Sequence, residues 1–274
     1  MKTGLSWLAW PLQSMIRRSR RDPKASMDNS LLISLSQQLA AYRSMDVIAN
    51  NLANVSTPGF KRESARFEEL IAMVRPAEGQ RGPQALSFVK DAGISRDLSQ
   101  GSIQRTDAPL DVAINGKGFF VVNTPEGERY TRDGHFSLDA EGRLVTSDGH
   151  AVMGDGGAIT VNPADGEIHI ARDGTISSVV NGALNQLGKL RLAGFADEAL
   201  LVKEGANLYS TTQAATAAAG TIQQGALEGS NVQPVVEISK MIEVMRAYEA
   251  TATLSKSQQD LSRQAIAKLG AMPR

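Results

Sequence analysis

Three histidines, His135, His150 and His169, are the first residues to weigh for chemistry, because imidazole serves as general base and metal ligand near neutral pH. None stands in a His-Glu-x-x-His spacing or a paired-ligand run, and a metal site needs ligands that converge. They fall within or beside short apolar runs and read as surface or turn residues. Turn dipeptides are frequent, at Asn115-Gly116, Asp133-Gly134, Glu141-Gly142, Asp148-Gly149, Asp165-Gly166 and Asp173-Gly174. No Asp-x-Asp-x-Asp-Gly run closed by Glu accompanies them, so they mark hairpins rather than calcium loops. Gly154-Asp155-Gly156-Gly157 lacks the Lys-Ser/Thr and the following helix that a phosphate cradle requires. There is no Gly-x-Ser-x-Gly elbow, and scattered Ser, His and Asp do not make a triad. With no cysteine among 274 residues, thiolate chemistry, Cys-ligated zinc and disulfides drop out. The sequence predicts no enzyme, with no catalytic residue, cofactor, metal or small-molecule substrate.

The elements that such residues would decorate follow from composition and periodicity. Hydrophobic residues at 42% and charged ones at 21% are ordinary globular usage, while aromatics at 5% leave the core to Leu, Ile, Val and Ala. Lys+Arg 29 against Asp+Glu 29 gives no electrostatic footprint of a dedicated nucleic-acid binder, so no nucleic acid is expected as partner. Residues 1–26 differ in texture. Lys2, Arg17, Arg18, Arg20, Arg21 and Lys24 oppose Asp22, and both tryptophans, Trp7 and Trp10, lie here. The basic cluster follows the short apolar run instead of preceding it, the reverse of a signal peptide. With Asp28, Asn29 and Ser30 as capping candidates, Met27 is the expected start, and 1–26 an atypical basic extension.

Over 30–54, Leu32, Leu35, Leu39, Tyr42, Met45, Ala49 and Leu52 recur at steps of three and four, the narrow seam of a coiled coil. Pro58-Gly59 predicts a stop near Asn54. Residues 68–75 read as a helix extended or restarted, and 76–83 as a Gly/Pro break. Short apolar runs separated by turns then predict strands at 110–114, 119–123, 129–132, 135–138, 143–146, 159–161, 168–170, 175–180 and 187–195, an antiparallel β region. The Ala/Thr/Gly/Gln-rich stretch 205–229 reads as an irregular linker. From Val235 onward Ile238, Met241, Ile242, Met245, Tyr248 and Ala252 share a helical face that drifts toward Leu254, Leu261 and Leu269. The expected fold is mixed α and β: a helical segment 27–75, a central, mainly antiparallel β domain 76–204, a linker 205–231 and a helical segment 232–274.

One stretch is far more specific than any short pattern. Ala49-Asn50-Asn51-Leu52-Ala53-Asn54-Val55-Ser56-Thr57-Pro58-Gly59-Phe60-Lys61 closely resembles the amino-terminal signature of the bacterial flagellar rod and hook proteins. Residues 101–122 and Tyr130-Thr131-Arg132-Asp133-Gly134 resemble the family's central β motif. Leu227-Glu228-Gly229-Ser230-Asn231-Val232 and Arg246-Ala247-Tyr248-Glu249-Ala250 are similar to its carboxy-terminal signature. The resemblance spans about 27–269. Within the family, the short connection to Gly101 and the Phe67-Glu68-Glu69 segment look most like the proximal-rod member.

The resemblance implies a structural subunit of the basal-body rod, located in the periplasm. It implies terminal helices packed as a coiled-coil layer inside the β domain. The implied partners are other flagellar rod subunits, proximal and distal, and the flagellar type III export apparatus. Heterologous contacts that do not close build helical filaments, in keeping with such a role. The residues expected at the assembly interface are Leu35, Leu39, Tyr42, Leu52, Ile238, Met245 and Tyr248 as apolar contacts. Asn50, Asn51, Asn54 and Asn231 are expected to set register through hydrogen bonds. An intrachain core for the apolar set, and capping roles for the Asn residues, are the alternatives. A distal-rod subunit, a cell-wall-acting hydrolase and a β-domain ligand platform are the competing functions.

Overall fold

The computed structural model describes residues 23–74, 84–162, 166–180 and 183–270. Most of the basic extension, the 76–83 break and Asp165 of one expected turn lie outside the described residues. Helix α1 (Pro23–Ala53) is 31 residues long and begins on a proline, which suits a first helical turn because that turn has no use for the N–H. Its first residues lie within the 1–26 segment. At its other end the Asn54 side-chain amide and backbone N–H both donate to the Asn50 carbonyl, and Thr57 Oγ1 donates to Asn54 Oδ1, closing the last turn before Pro58.

The chain then makes a long antiparallel hairpin, β1 (Glu63–Val74) and β2 (Gln84–Arg96). The helix expected from 68 is therefore a strand. Phe67, Leu70 and Ile71 have helix-like spacing, but every residue from Glu63 to Val74 has a partner on β2, and that ladder outweighs local propensity. The hairpin lies along α1: the Val89 N–H reaches Ser36 Oγ at 3.5 Å and Arg43 pairs with Asp91 at 3.4 Å.

Beyond it, β3 (Ile103–Arg105), β4 (Val112–Asn115), β5 (Phe119–Thr124) and β6 (Gly127–Thr131) open the central region, whose strand pairings are all antiparallel. Strand β5 is its centre. Phe120 and Val122 enter a core with Val112, Ile114, Phe136, Leu144, Val152 and Ile176. Phe119 and Val121, on the opposite face, pack with Tyr130, Ala193 and Tyr209. Alternate side chains point to opposite sides, so an unbroken apolar run is what a strand buried on both faces requires.

Two further expectations are corrected here. The 205–229 stretch is not an irregular linker: Leu208–Ser210 joins β6, Thr221–Gln224 joins β4 and Ala226–Glu228 joins β3. The 187–195 run is not one strand. It breaks at Leu190, whose N–H turns to the Gly174 carbonyl, leaving Ala183–Lys189 and Leu192–Gly194 in different sheets. The expected strand at 159–161 is reduced to a single bridge between Arg143 and Thr160. Helix α2 (Pro234–Gly270), 37 residues and about 55 Å long at 1.5 Å per residue, follows and packs on α1.

Candidate assembly interface

The apolar seam of the two helices faces outward. Leu35 is 48% exposed, Leu39 62% and Tyr42 59%, and on α2 Ile238 and Met245 are each 46% exposed. Tyr248 is exposed and Leu52 half-buried. Among the described α1 residues, those that do bury are Ser34, Val47, Ile48 and Asn51. Leu32, Ile242, Leu254 and Leu261 extend the exposed set. The chain's own core therefore does not account for these side chains. Large apolar side chains left exposed in such number call for an explanation outside the chain's own core.

Behind the seam lies a junction that holds the helices on the β region. The segment Gly59–Glu63 runs between the end of α1 and β1, and its cations enter the interior. Lys61 and Glu228 are fully buried and paired, and Lys61 Nζ also donates to the Ser99 carbonyl at 2.7 Å. The second Glu228 oxygen accepts from Arg132 Nη1 at 3.1 Å, and the Gly101 N–H donates to Oε1 at 3.0 Å. The Glu228 carbonyl takes the Gly59 N–H at 2.7 Å. One residue thus joins the amino-terminal signature, the segment before β3 and the β region. Burial pushes the Lys61 ammonium below its ordinary value, opposed by the charge and hydrogen bond of Glu228.

Asn51, also fully buried, bridges the two helices: its amide donates to Glu237 Oε2 at 3.0 Å and to the Glu63 carbonyl at 2.7 Å, and its Oδ1 accepts the Glu63 N–H. Asn231 accepts the Arg62 N–H at 2.7 Å and donates to the Asp97 and Ser99 carbonyls. These two Asn residues are thus engaged within the chain, Asn54 closes α1, and Asn50 is exposed. Arg62 Nε reaches Glu237 Oε1 at 2.7 Å. Burial alone would raise the Glu237 carboxyl; hydrogen bonds from Arg62 and Asn51, with the charges of Arg62 and Lys240, outweigh it and hold the group below its ordinary 4.5. A depressed carboxylate binds fewer protons folded than unfolded, so its contribution is complete above 4.5 and fades as the pH falls through the lower folded value. Hydrogen exchange at the first turn of α2 should accelerate on going from about pH 6 to about pH 3, after correction for intrinsic rates, and Glu237→Gln should flatten that dependence.

Two glycines make the junction possible. Gly59 has φ +69, and a Cβ there would sit 2.5 Å from the Asp133 nitrogen. A Cβ on Gly101 would lie 1.9 Å from the Gly229 carbonyl oxygen, inside the contact closed by the Gly229 N–H to the Ser102 carbonyl. Gly101→Ala should therefore lower the urea midpoint by an amount equivalent to roughly 1–3 kcal/mol, the usual range for overpacking.

The three histidines stay apart from this. The exposed His135 has its Nδ1 2.7 Å from Oδ1 of the buried Asp111, and among the described residues no three His, Cys, Asp or Glu side chains are grouped to hold a metal.

Residues 32–61 match a family model described as flagella basal body rod protein, 113–178 one described as flagellar hook protein FlgE/F/G D1 domain, and 223–268 one described as flagellar basal body rod FlgEFG protein C-terminal. Over 248 residues the chain is 42% identical to the flagellar basal-body rod protein FlgF of Caulobacter vibrioides, covering 89% of this chain and 99% of that protein. The chain belongs to the flagellar basal-body rod and hook family. Similarity within the family also includes FlgG of Buchnera aphidicola from Acyrthosiphon pisum, 40% identical over 256 residues, covering 85% of this chain and 97% of that one. FlgF of Mesorhizobium japonicum is 34% identical over 249 residues, with 89% and 99% covered. As a member of the rod and hook family, the chain is a structural, non-enzymatic subunit of the flagellar basal body. The junction joins two of the matched segments, since Lys61 lies in the first and its partner Glu228 in the last, 167 residues apart. Lys61, Arg62, Arg132, Glu228 and Glu237 carried no assigned role in the sequence; the signal for Lys61, Arg132 and Glu228 was charge placed inside the signature segments, while Arg62 and Glu237 lie outside them.

Proposed function

We propose that the chain is a proximal-rod subunit whose terminal helices pack as a coiled-coil layer with those of neighbouring rod subunits. The observation that carries this reading is the exposed seam of Leu35, Leu39, Tyr42, Ile238 and Met245, apolar at coiled-coil spacing and uncovered by the chain itself. Neighbours bury these side chains, Asn50 contributes register from the exposed end of α1, and the β region lies outside the helical layer. The 42% identity to a FlgF over nearly its whole length favours the proximal position. A distal position is the second reading, supported by the 40% identity to a FlgG.

The subunit arrives through the flagellar type III export apparatus and works passively. Torque passes between the helices and the β region through the buried junction. The absence of native cysteine makes a single Leu39→Cys substitution a unique handle. Crosslinking from it in intact basal bodies should capture rod subunits. Capture of proximal-rod neighbours supports the proposal, capture of distal-rod protein alone supports the second reading, and no rod partner at all contradicts both.

A further inference from the structure

We infer that residues 226–237 are a closing strap, and that the end of α1 and the 59–63 segment take their native places only after this strap has been laid across them. The strap carries acceptors that these segments use. The Gly59 N–H donates to the Glu228 carbonyl, the Arg62 N–H to Asn231 Oδ1 and the Gly101 N–H to Glu228 Oε1. In return the strap donates its Gly229 N–H to the Ser102 carbonyl and its Asn231 N–H to the Phe60 carbonyl.

Charge enforces the same sequence of events. The amino-terminal side brings the adjacent cations Lys61 and Arg62, and the strap brings the anions Glu228 and Glu237. Without the strap, the native position of Lys61 would leave a buried ammonium beside Arg132 with no carboxylate, a state that an isolated charge avoids. Asn51 near the end of α1 likewise meets Glu237 at the start of α2. A chain that lacks its last part therefore cannot present the paired helices, and the pair becomes rigid in one step when the strap closes. This holds whether or not the helices then meet other subunits.

Pulse-labelling hydrogen exchange during refolding of the full chain, read amide by amide, tests it. Amides of Phe119–Thr124 should gain protection first, and Gly59, Arg62 and Gly101 later, in the same phase as Gly229 and Asn231. Protection of Gly59 and Arg62 before Gly229 and Asn231 would overturn the strap. In the folded chain, Glu228→Gln should speed exchange at Gly59 and Arg62 by at least roughly a hundredfold, as expected for stranding a buried charge. Unchanged exchange at Gly59 and Arg62 would count against it. Should Glu228→Gln unfold the whole chain, Asn231→Ala leaves the ion pairs in place. A concerted strap then predicts at least roughly tenfold faster exchange at Gly59 and Gly101, which do not bond to Asn231, as for members of one hydrogen-bonded network. Acceleration confined to Arg62 would refute it.

Discussion

Replacing Leu39 and Met245 together with Glu should abolish incorporation into basal bodies, and with it motility, while leaving the isolated chain as stable as before. Both side chains are about half exposed or more, and Glu is a good helix former, so the purified variant should unfold within roughly 0.5 kcal/mol of the natural chain. In a packed helical layer the same two carboxylates would be desolvated without partners, which costs several kcal/mol per contact by the usual estimates. Repeated along a filament, that penalty prevents assembly. Urea unfolding of the variant and swarming of cells carrying it measure the two halves. Normal swarming would show that the seam is not buried by neighbours.

The second large effect concerns the chain itself. Glu228→Gln removes the anion shared by Lys61 and Arg132 and should lower stability by about 3–5 kcal/mol, the range for breaking a buried pair by deleting one partner. Set against a net stability of roughly 5–15 kcal/mol for a typical domain, this is a large fraction. The exposed pair between Arg105 and Asp107 is the control: its removal should leave the unfolding midpoint where it was, because water competes for both groups. Equal effects for the two pairs would mean that burial at the junction carries no energetic weight.

What could be read from the sequence divides by the range of the interaction that decides it. The two long helices were legible from their spacing, and the end of α1 from Pro58-Gly59, because helix periodicity and helix termination are local. The apolar run Phe119–Val122 likewise announced a strand. The β1–β2 hairpin was not legible, since Phe67, Leu70 and Ile71 suit a helical face equally well and the ladder to β2 decides between the two. The strands at Thr221–Gln224 and Ala226–Glu228 are short, and their partners β4 and β3 lie more than a hundred residues earlier.

The same reasoning applies to the site. Leu35, Leu39 and Tyr42 were identifiable as a seam because they form one by spacing alone, and they stand exposed on the folded chain. The resemblance located the signature segments but not their physical purpose. Lys61 meets Glu228 across 167 residues and Arg132 meets it across 96, and nothing local in the sequence announces such pairs.

Hydroxyl-radical footprinting of Tyr42 and Met245, compared between the purified chain and isolated basal bodies, tests the central claim most directly. Both side chains are exposed in the single chain and react readily, so their modification there should be fast. In basal bodies it should fall by roughly tenfold or more as neighbouring helices exclude solvent, while the exposed strand residue Leu184 keeps its reactivity if the β region lies outside the helical layer. Equal modification of Tyr42 and Met245 in the two samples would contradict an account in which the outward seam exists to be covered by other subunits.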